Sequence, residues 1–220
     1  MFGLANGLCS IYFSTPTVTI LIVGLDSAGK TTFVEAAKGF YPSRPSVRIP
    51  LDRIRPTMGL NITTHEGVGI EGKGCKCVLR DASGQVSMRS HWQKYYGDID
   101  GLIFVVDGTD AERMEEAAVV FDVVRNDDRV TGIPILLFAN KGDQMTTGGG
   151  AAAPISDIAA VLGLRDTAAA LSPSGDDDGI RAMGGSAWDG DGVQDALDWV
   201  VEAAKVVKAQ QNNGGNKGSR

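Results

Sequence analysis

The stretch Gly24-Leu25-Asp26-Ser27-Ala28-Gly29-Lys30-Thr31 fits G-x-x-x-x-G-K-[ST], and its setting restricts the folds open to the chain. Upstream, Val18–Val23 is a continuous β-branched and aliphatic run, the pattern of a strand buried on both faces. Downstream, Thr31–Lys38 reads as a helix that stops at Gly39. Strand, glycine turn and helix N-terminus in that order aim backbone N–H groups and the positive end of a helix dipole at one point. Such a point suits phosphate. Lys30 would reach the β- and γ-phosphates, and the Thr31 hydroxyl would ligate Mg²⁺. Gly24, Asp26, Ser27, Ala28, Gly29 and Thr32 complete the cradle.

The rest of the chain alternates strand and helix patterns. Leu60–Thr64 and Gly74–Leu79 are short strand-like runs, and the glycine-rich segment Gly67–Gly74 between them suggests a hairpin. Leu102–Val106 and Ile133–Ala139 are buried-strand runs, and Ile180–Met183 is a weaker one. A helix is expected over Met88–Tyr96, carrying Trp92, Tyr95 and Tyr96. Thr109-x-x-Glu112 reads as a capping box for a helix with Met114, Ala117, Ala118, Phe121 and Val124 on its inner stripe. Helices at 154–162 and 192–208 follow, the last with Val193, Ala196, Leu197, Val200, Val201, Ala204 and Val207 in register. Alternation of this kind predicts a three-layer α/β sheet with its ligand at the C-terminal ends of the strands.

Three other segments stand apart. Residues 1–15 are expected to form an N-terminal amphipathic helix, weakened by Gly3 and Gly7, whose apolar side needs a lipid interface or a groove on the protein's own surface. Phe40–Pro56, broken by prolines and holding Arg44, Arg48, Arg53 and Arg55, reads as a mobile functional loop. Residues 209–220 are a polar, glycine-rich tail expected to be disordered, which leaves 16–208 as the domain. At 220 residues and net charge −6 the chain suits one domain with tails, not binding nucleic acid through a basic face. Three cysteines, Cys9, Cys75 and Cys77, fit a reducing compartment, and the pair at 75 and 77 lacks partners for a zinc tetrahedron. A hydrophobic run of strand length without a basic flank is neither a signal peptide nor a membrane span, so a cytoplasmic location is expected.

Asn140-Lys141-x-Asp143, at the end of a buried strand, selects the base. A carboxylate at Asp143 can accept from both N1–H and the exocyclic amine of guanine, whereas adenine presents an acceptor there. Discrimination by a site left with an unsatisfied polar group can reach about 10⁴-fold or more. Asn140 would hold the loop, and the Lys141 stem would pack over the ring. On the phosphate side, Thr57 is a second Mg²⁺ ligand, Asp81 binds the ion through water, the Gly84 N–H meets the γ-phosphate and Gln85 orients the attacking water. Two loops would therefore change order on hydrolysis. No residue stands out as an arginine finger, so turnover should be slow, and a partner's arginine would be worth about 10³–10⁵ in rate. A scaffold that binds nucleotide with negligible hydrolysis is the alternative, favoured by Ser83 and opposed by Gln85; a P-loop kinase or ATPase is opposed by Asn140-Lys141-x-Asp143.

With the phosphate loop, Pro56-Thr57-Met58-Gly59-Leu60-Asn61-Ile62, Asp81-x-x-Gly84-Gln85, Gly101–Asp107 and Asn140-Lys141-x-Asp143 in view, the chain resembles the Arf/Arf-like small GTPases from about residue 1 to 208. Within them it is most similar to the Arf-related branch of the trans-Golgi, through Thr31–Glu35, the insert before Pro56, and Trp92–Tyr96. The resemblance implies a Ras-like six-stranded sheet, mostly parallel with one antiparallel strand, and GTP/GDP with Mg²⁺ as cofactors. It implies Ser186 and Ala187 as the guanine-contacting loop. It also implies a monomer that meets an exchange factor, a GTPase-activating protein and effectors. Peripheral attachment to Golgi membranes is implied through an N-terminal helix that leaves its groove in the GTP form, aided by a membrane receptor. Phe2 excludes N-myristoylation. Arg80 and Leu60 replace two members of an aromatic effector triad and leave Tyr95, while Ser83 stands where that family carries glycine. Trp188 is expected to cover the guanine-contacting loop.

Overall fold

The computed structural model describes residues 16–69, 74–145, 154–164, 167–170, 172, 174–176 and 179–214. The N-terminal helix expected over 1–15, Cys9 and the last residues of the tail lie outside this set. In chain order the elements are β1 (Thr17–Val23), α1 (Lys30–Ala37), β2 (Ser43–Arg44), β3 (Leu60–Val68), β4 (Cys75–Ala82) and α2 (Val86–Arg89). They continue with β5 (Gly101–Asp107), α3 (Met114–Arg125), β6 (Ile135–Asn140), α4 (Ile155–Val161), α5 (Thr167–Ala170), β7 (Ile180–Gly184) and α6 (Val193–Gly214).

The strands form one sheet in the order β2-β3-β4-β1-β5-β6-β7. β1, β4, β5, β6 and β7 pair in parallel, and β3 runs antiparallel to both β4 and β2. The expected six strands are present. The two-residue β2 is a seventh, too short to carry an alternation signal. β3 and β4 form the expected hairpin, with an irregular register between His65 and Val68.

Alternation along the central strands feeds a core on each face of the sheet. Leu21, Val23, Phe104 and Leu137 pack with Phe121 and Val124 of α3. Ile20, Ile22, Ile103 and Phe138 pack with Phe33 of α1 and Leu197 and Val200 of α6. Edge-to-face ring pairs fix both layers: Phe104–Phe121 at 5.0 Å and Phe33–Phe138 at 5.1 Å. Cys75 and Cys77 are buried on one face of β4, and burial pushes both thiols up from their ordinary value.

Three local expectations are corrected. The helix expected over Met88–Tyr96 is only the single turn of α2, followed by 3₁₀ turns at Trp92–Lys94 and Tyr96–Asp98. Trp92 and Tyr96 are buried, and the Trp92 indole donates to the Ser83 carbonyl at 2.8 Å, so tertiary anchoring overrides the helical period. Asp110 caps the 3₁₀ turn Ala111–Arg113 that leads into α3, accepting from the Arg113 backbone N–H at 3.1 Å; the Thr109 hydroxyl donates to Asp107 Oδ1 at 2.7 Å instead. α6 continues to Gly214, past the predicted end, because Ala209, Gln210 and Gln211 after Lys208 are good helix formers and no Gly or Pro interrupts the run before Gly214. Around Phe40–Pro56, polar contacts link the segment to α1 and α6. The Glu35 carboxylate accepts from Lys38 Nζ at 2.6 Å and the Ile49 N–H at 2.7 Å, and the Tyr41 hydroxyl donates to Asp198 at 2.5 Å. Among the described residues no helix is long and apolar enough to cross a membrane.

Candidate nucleotide site

The turn between β1 and α1 is closed by Gly29, which caps the helix at φ 93°. A Cβ there would stand 2.1 Å from the Asn140 amide nitrogen, so glycine is required for conformation and for space. The first N–H groups of α1 have no partner within the helix and point toward the turn. Lys30 is buried, and its Nζ donates to the Leu25 carbonyl at 2.6 Å. Burial, opposed in part by Asp81 and Asp26, holds the ammonium down to about 8. An arriving phosphate would supply the countercharge that this group lacks.

Three oxygens from three segments converge beside it. Thr31 Oγ1 donates to Asp81 Oδ2 at 2.7 Å, Thr57 Oγ1 donates to the same oxygen at 3.2 Å, and the two hydroxyls lie 2.8 Å apart. The other carboxylate oxygen, Asp81 Oδ1, is buried with no hydrogen-bond partner among the described residues, and burial raises the carboxyl's pKa. Hydroxyls and one carboxylate are hard oxygen donors, the set Mg²⁺ takes when phosphate and water complete its shell. The orphaned oxygen fits a site meant to hold that ion. Thr31, Thr57 and Asp81 would hold it, and it would neutralise charge on the terminal phosphates.

Gly84 packs directly on the phosphate loop. A Cβ there would lie 2.5 Å from the Asp26 N and from the Gly24 O. A cavity of about 300 Å³ is lined by Lys30, Thr31, Thr57, Gly84 and Gln85, with Asp26, Ser27, Gly29 and Thr32 on its floor. Gln85 is exposed at the start of α2. Ile54, Arg55 and Ser83 also line this space.

The base-reading half is joined to the loop by one side chain. Asn140 is buried; its Nδ2 donates to the Ala28 carbonyl at 2.8 Å, and its Oδ1 accepts from the Ala187 N–H at 2.8 Å. Asp143 Oδ1 accepts from the Ser186 hydroxyl at 2.7 Å, which fixes the carboxylate. Lys141, at φ 69°, pairs its Nζ with Asp107 Oδ2 at 2.5 Å. Ser186 and Ala187 thus scaffold Asn140 and Asp143. Trp188 is 59% exposed, and its backbone N–H donates to Ser186 Oγ at 3.2 Å.

An ion-pair network escaped the sequence reading. Arg89 donates through Nε to the Gly84 carbonyl at 2.8 Å and through one terminal nitrogen to Glu116 Oε1 at 2.6 Å; its other terminal nitrogen lies 3.4 Å from Asp26 Oδ1. Arg113 reaches Asp26 Oδ2 at 3.5 Å. The network ties the segment after β4 to the phosphate loop and to α3. No local spacing could signal it, because its partners meet only in the folded chain.

A Ras-like sheet with a phosphate loop, two segments reaching its metal corner and a guanine-reading strand end defines a regulatory GTPase. The ADP-ribosylation factor family model matches residues 7–204, and the chain belongs to that family. It is 34% identical over 203 residues to ADP-ribosylation factor-like protein 3 of Saccharomyces cerevisiae, covering 91% of this chain and 92% of that protein. It is 32% identical over 205 residues to human ADP-ribosylation factor-related protein 1, covering 92% of each. Among solved structures, the Arl6 BBS3 small GTPase from Trypanosoma brucei, with bound GppNp, superposes with a TM-score of 0.66 at 24% identity. That match covers 87% of this chain and 99% of that one, and bears on the fold. The chain is a small GTPase that binds GTP and GDP with Mg²⁺ and hydrolyses GTP.

Proposed function

We propose that this GTPase is a two-state switch, peripheral on Golgi membranes, that regulates vesicle traffic. One observation carries the switch. Thr57 and the Asp81–Gly84 segment, which flank the open end of the β3–β4 hairpin, meet at the corner where Lys30 and Thr31 would hold a terminal phosphate. Loss of that phosphate removes what both segments share. The likeness to the Arf-related branch supports the Golgi setting, and the apolar segment 1–15 supports membrane contact in one nucleotide state. A single short helix anchors weakly, so a membrane receptor supplies a second signal. An exchange factor, an activating protein and effectors act on the monomer.

The full chain loaded with GDP or with a non-hydrolysable GTP analogue should be sedimented with phosphatidylcholine vesicles and digested in parallel with chymotrypsin, for which Phe2, Tyr12 and Phe13 are sites in the segment. The GTP-analogue form is expected on the vesicles with residues 1–15 cleavable in solution. Equal partition and equal cleavage of the two forms would sink the proposal.

A further inference from the structure

Arg55 lines the nucleotide cavity together with Thr57, Lys30 and Thr31. Its placement follows from the chain. Ile54 is extended, at φ −63° and ψ 126°, and Pro56 steers the residue before it away from the helical region. Residues two apart in an extended segment project to the same side. Thr57 turns its hydroxyl to Asp81 and Thr31, so Arg55 starts on the metal side of the segment, roughly 6–7 Å back along it. An arginine stem covers a comparable distance. Arg55 is exposed, and among the described residues no carboxylate lies within ion-pair distance of it. Arg89 and Arg113, by contrast, are committed to Asp26, Glu116 and Asp110.

We propose that Arg55 acts in cis on the terminal phosphate of GTP, supplying part of the positive charge that a partner's arginine otherwise delivers. The proposal rests on the nucleotide reading of the site. In hydrolysis a water oxygen adds to the γ-phosphorus as the bond to the β–γ bridging oxygen breaks. The electron pair of that bond leaves on GDP, and the water's proton ends on inorganic phosphate. Charge spreads over the γ-oxygens and the bridging oxygen as this happens, and a guanidinium, charged at every working pH, stabilises it most at that point. The motif spacing gave no sign of this role, because the pairing of Arg55 with the cavity depends on how Pro56 turns the backbone.

The test uses the full chain as its Mg²⁺–GDP complex, with Trp92, whose indole donates to the Ser83 carbonyl at 2.8 Å, as a built-in fluorescent reporter. Aluminium fluoride, which mimics the transferring phosphoryl group, is added without any partner protein to wild type, Arg55→Ala and Arg55→Lys. Phosphate release from GTP is followed in single turnover, and GDP dissociation is measured alongside. Wild type is expected to capture fluoroaluminate. Arg55→Ala should lose that capture and hydrolyse at least about tenfold more slowly, with GDP dissociation unchanged. Arg55→Lys, which keeps the charge without the planar fork, should fall between them. Capture by Arg55→Ala equal to wild type, no capture by wild type, or faster GDP loss from Arg55→Ala would each overturn the proposal. A wild-type chain that retains no guanine nucleotide would overturn the reading of the site along with it.

Discussion

His65 lies in β3 with 0% of its surface exposed, and among the described residues neither ring nitrogen has a hydrogen-bond partner. The Tyr41 ring stands edge-on to it at 6.5 Å, and Cys77 is opposite on β4. Burial, with a smaller push from the Lys38 ammonium, holds the imidazole down to about 4 from its ordinary 6.5. The unfolded chain therefore binds a proton that the folded chain refuses. Stability from this group is complete above pH 6.5 and is lost as pH falls toward 4. With those two values, roughly 2 kcal/mol is gone by pH 5 and roughly 3 kcal/mol by pH 4. Replacing the ring by valine, close in volume, removes the titration and two unpartnered polar atoms together. Urea unfolding of wild type and His65→Val at saturating GDP and Mg²⁺, at pH 7.5 and 5.0, isolates the effect, because every other titrating group is common to both. Wild type should lose about 2 kcal/mol more than the variant between the two pH values. Parallel losses would refute a neutral, buried His65.

Asp81→Asn removes the one charge among the three converging oxygens; release of a fluorescent GDP analogue should accelerate at least about tenfold and become indifferent to Mg²⁺ chelation. Asp143→Ala leaves Ser186 without its acceptor and guanine without its carboxylate, so competition binding should show the preference for GDP over ADP collapsing by about 10³-fold or more. Arg89→Ala breaks the contacts to Gly84, Glu116 and Asp26; a thermal melt should report a loss of about 1–3 kcal/mol, and affinity for a GTP analogue should fall more than affinity for GDP.

The phosphate loop, the Asn140–Asp143 turn and the strand–helix alternation were legible because each is written in neighbouring residues. Gly29 must be glycine for a local φ, and Val18–Val23 is β-branched or aliphatic at every position because most of β1 is covered on both faces. The Thr31–Thr57–Asp81 convergence was legible through motif types, although its geometry spans three elements. What stayed hidden depends on meeting across the fold. Arg89 finds Glu116 on another helix, and the single turn of α2 gives no periodic trace of that contact. Trp92 and Tyr96 have helical spacing, yet the core each enters breaks the helix between them. Thr109 and Glu112 match a capping box, but Asp107 captures the threonine and leaves the cap to Asp110. β2 exists only because β3 offers it an edge.

One carboxamide, that of Asn140, clasps the Ala28 carbonyl with its nitrogen and the Ala187 amide with its oxygen. The purine end and the phosphate end of the pocket are therefore latched by a single bolt. A partner that ejects the nucleotide has no need to pry at both ends, since disturbing the phosphate loop at Ala28 slackens the grip on the ring as well. Departure should be all at once, with no long-lived intermediate that dangles by its base.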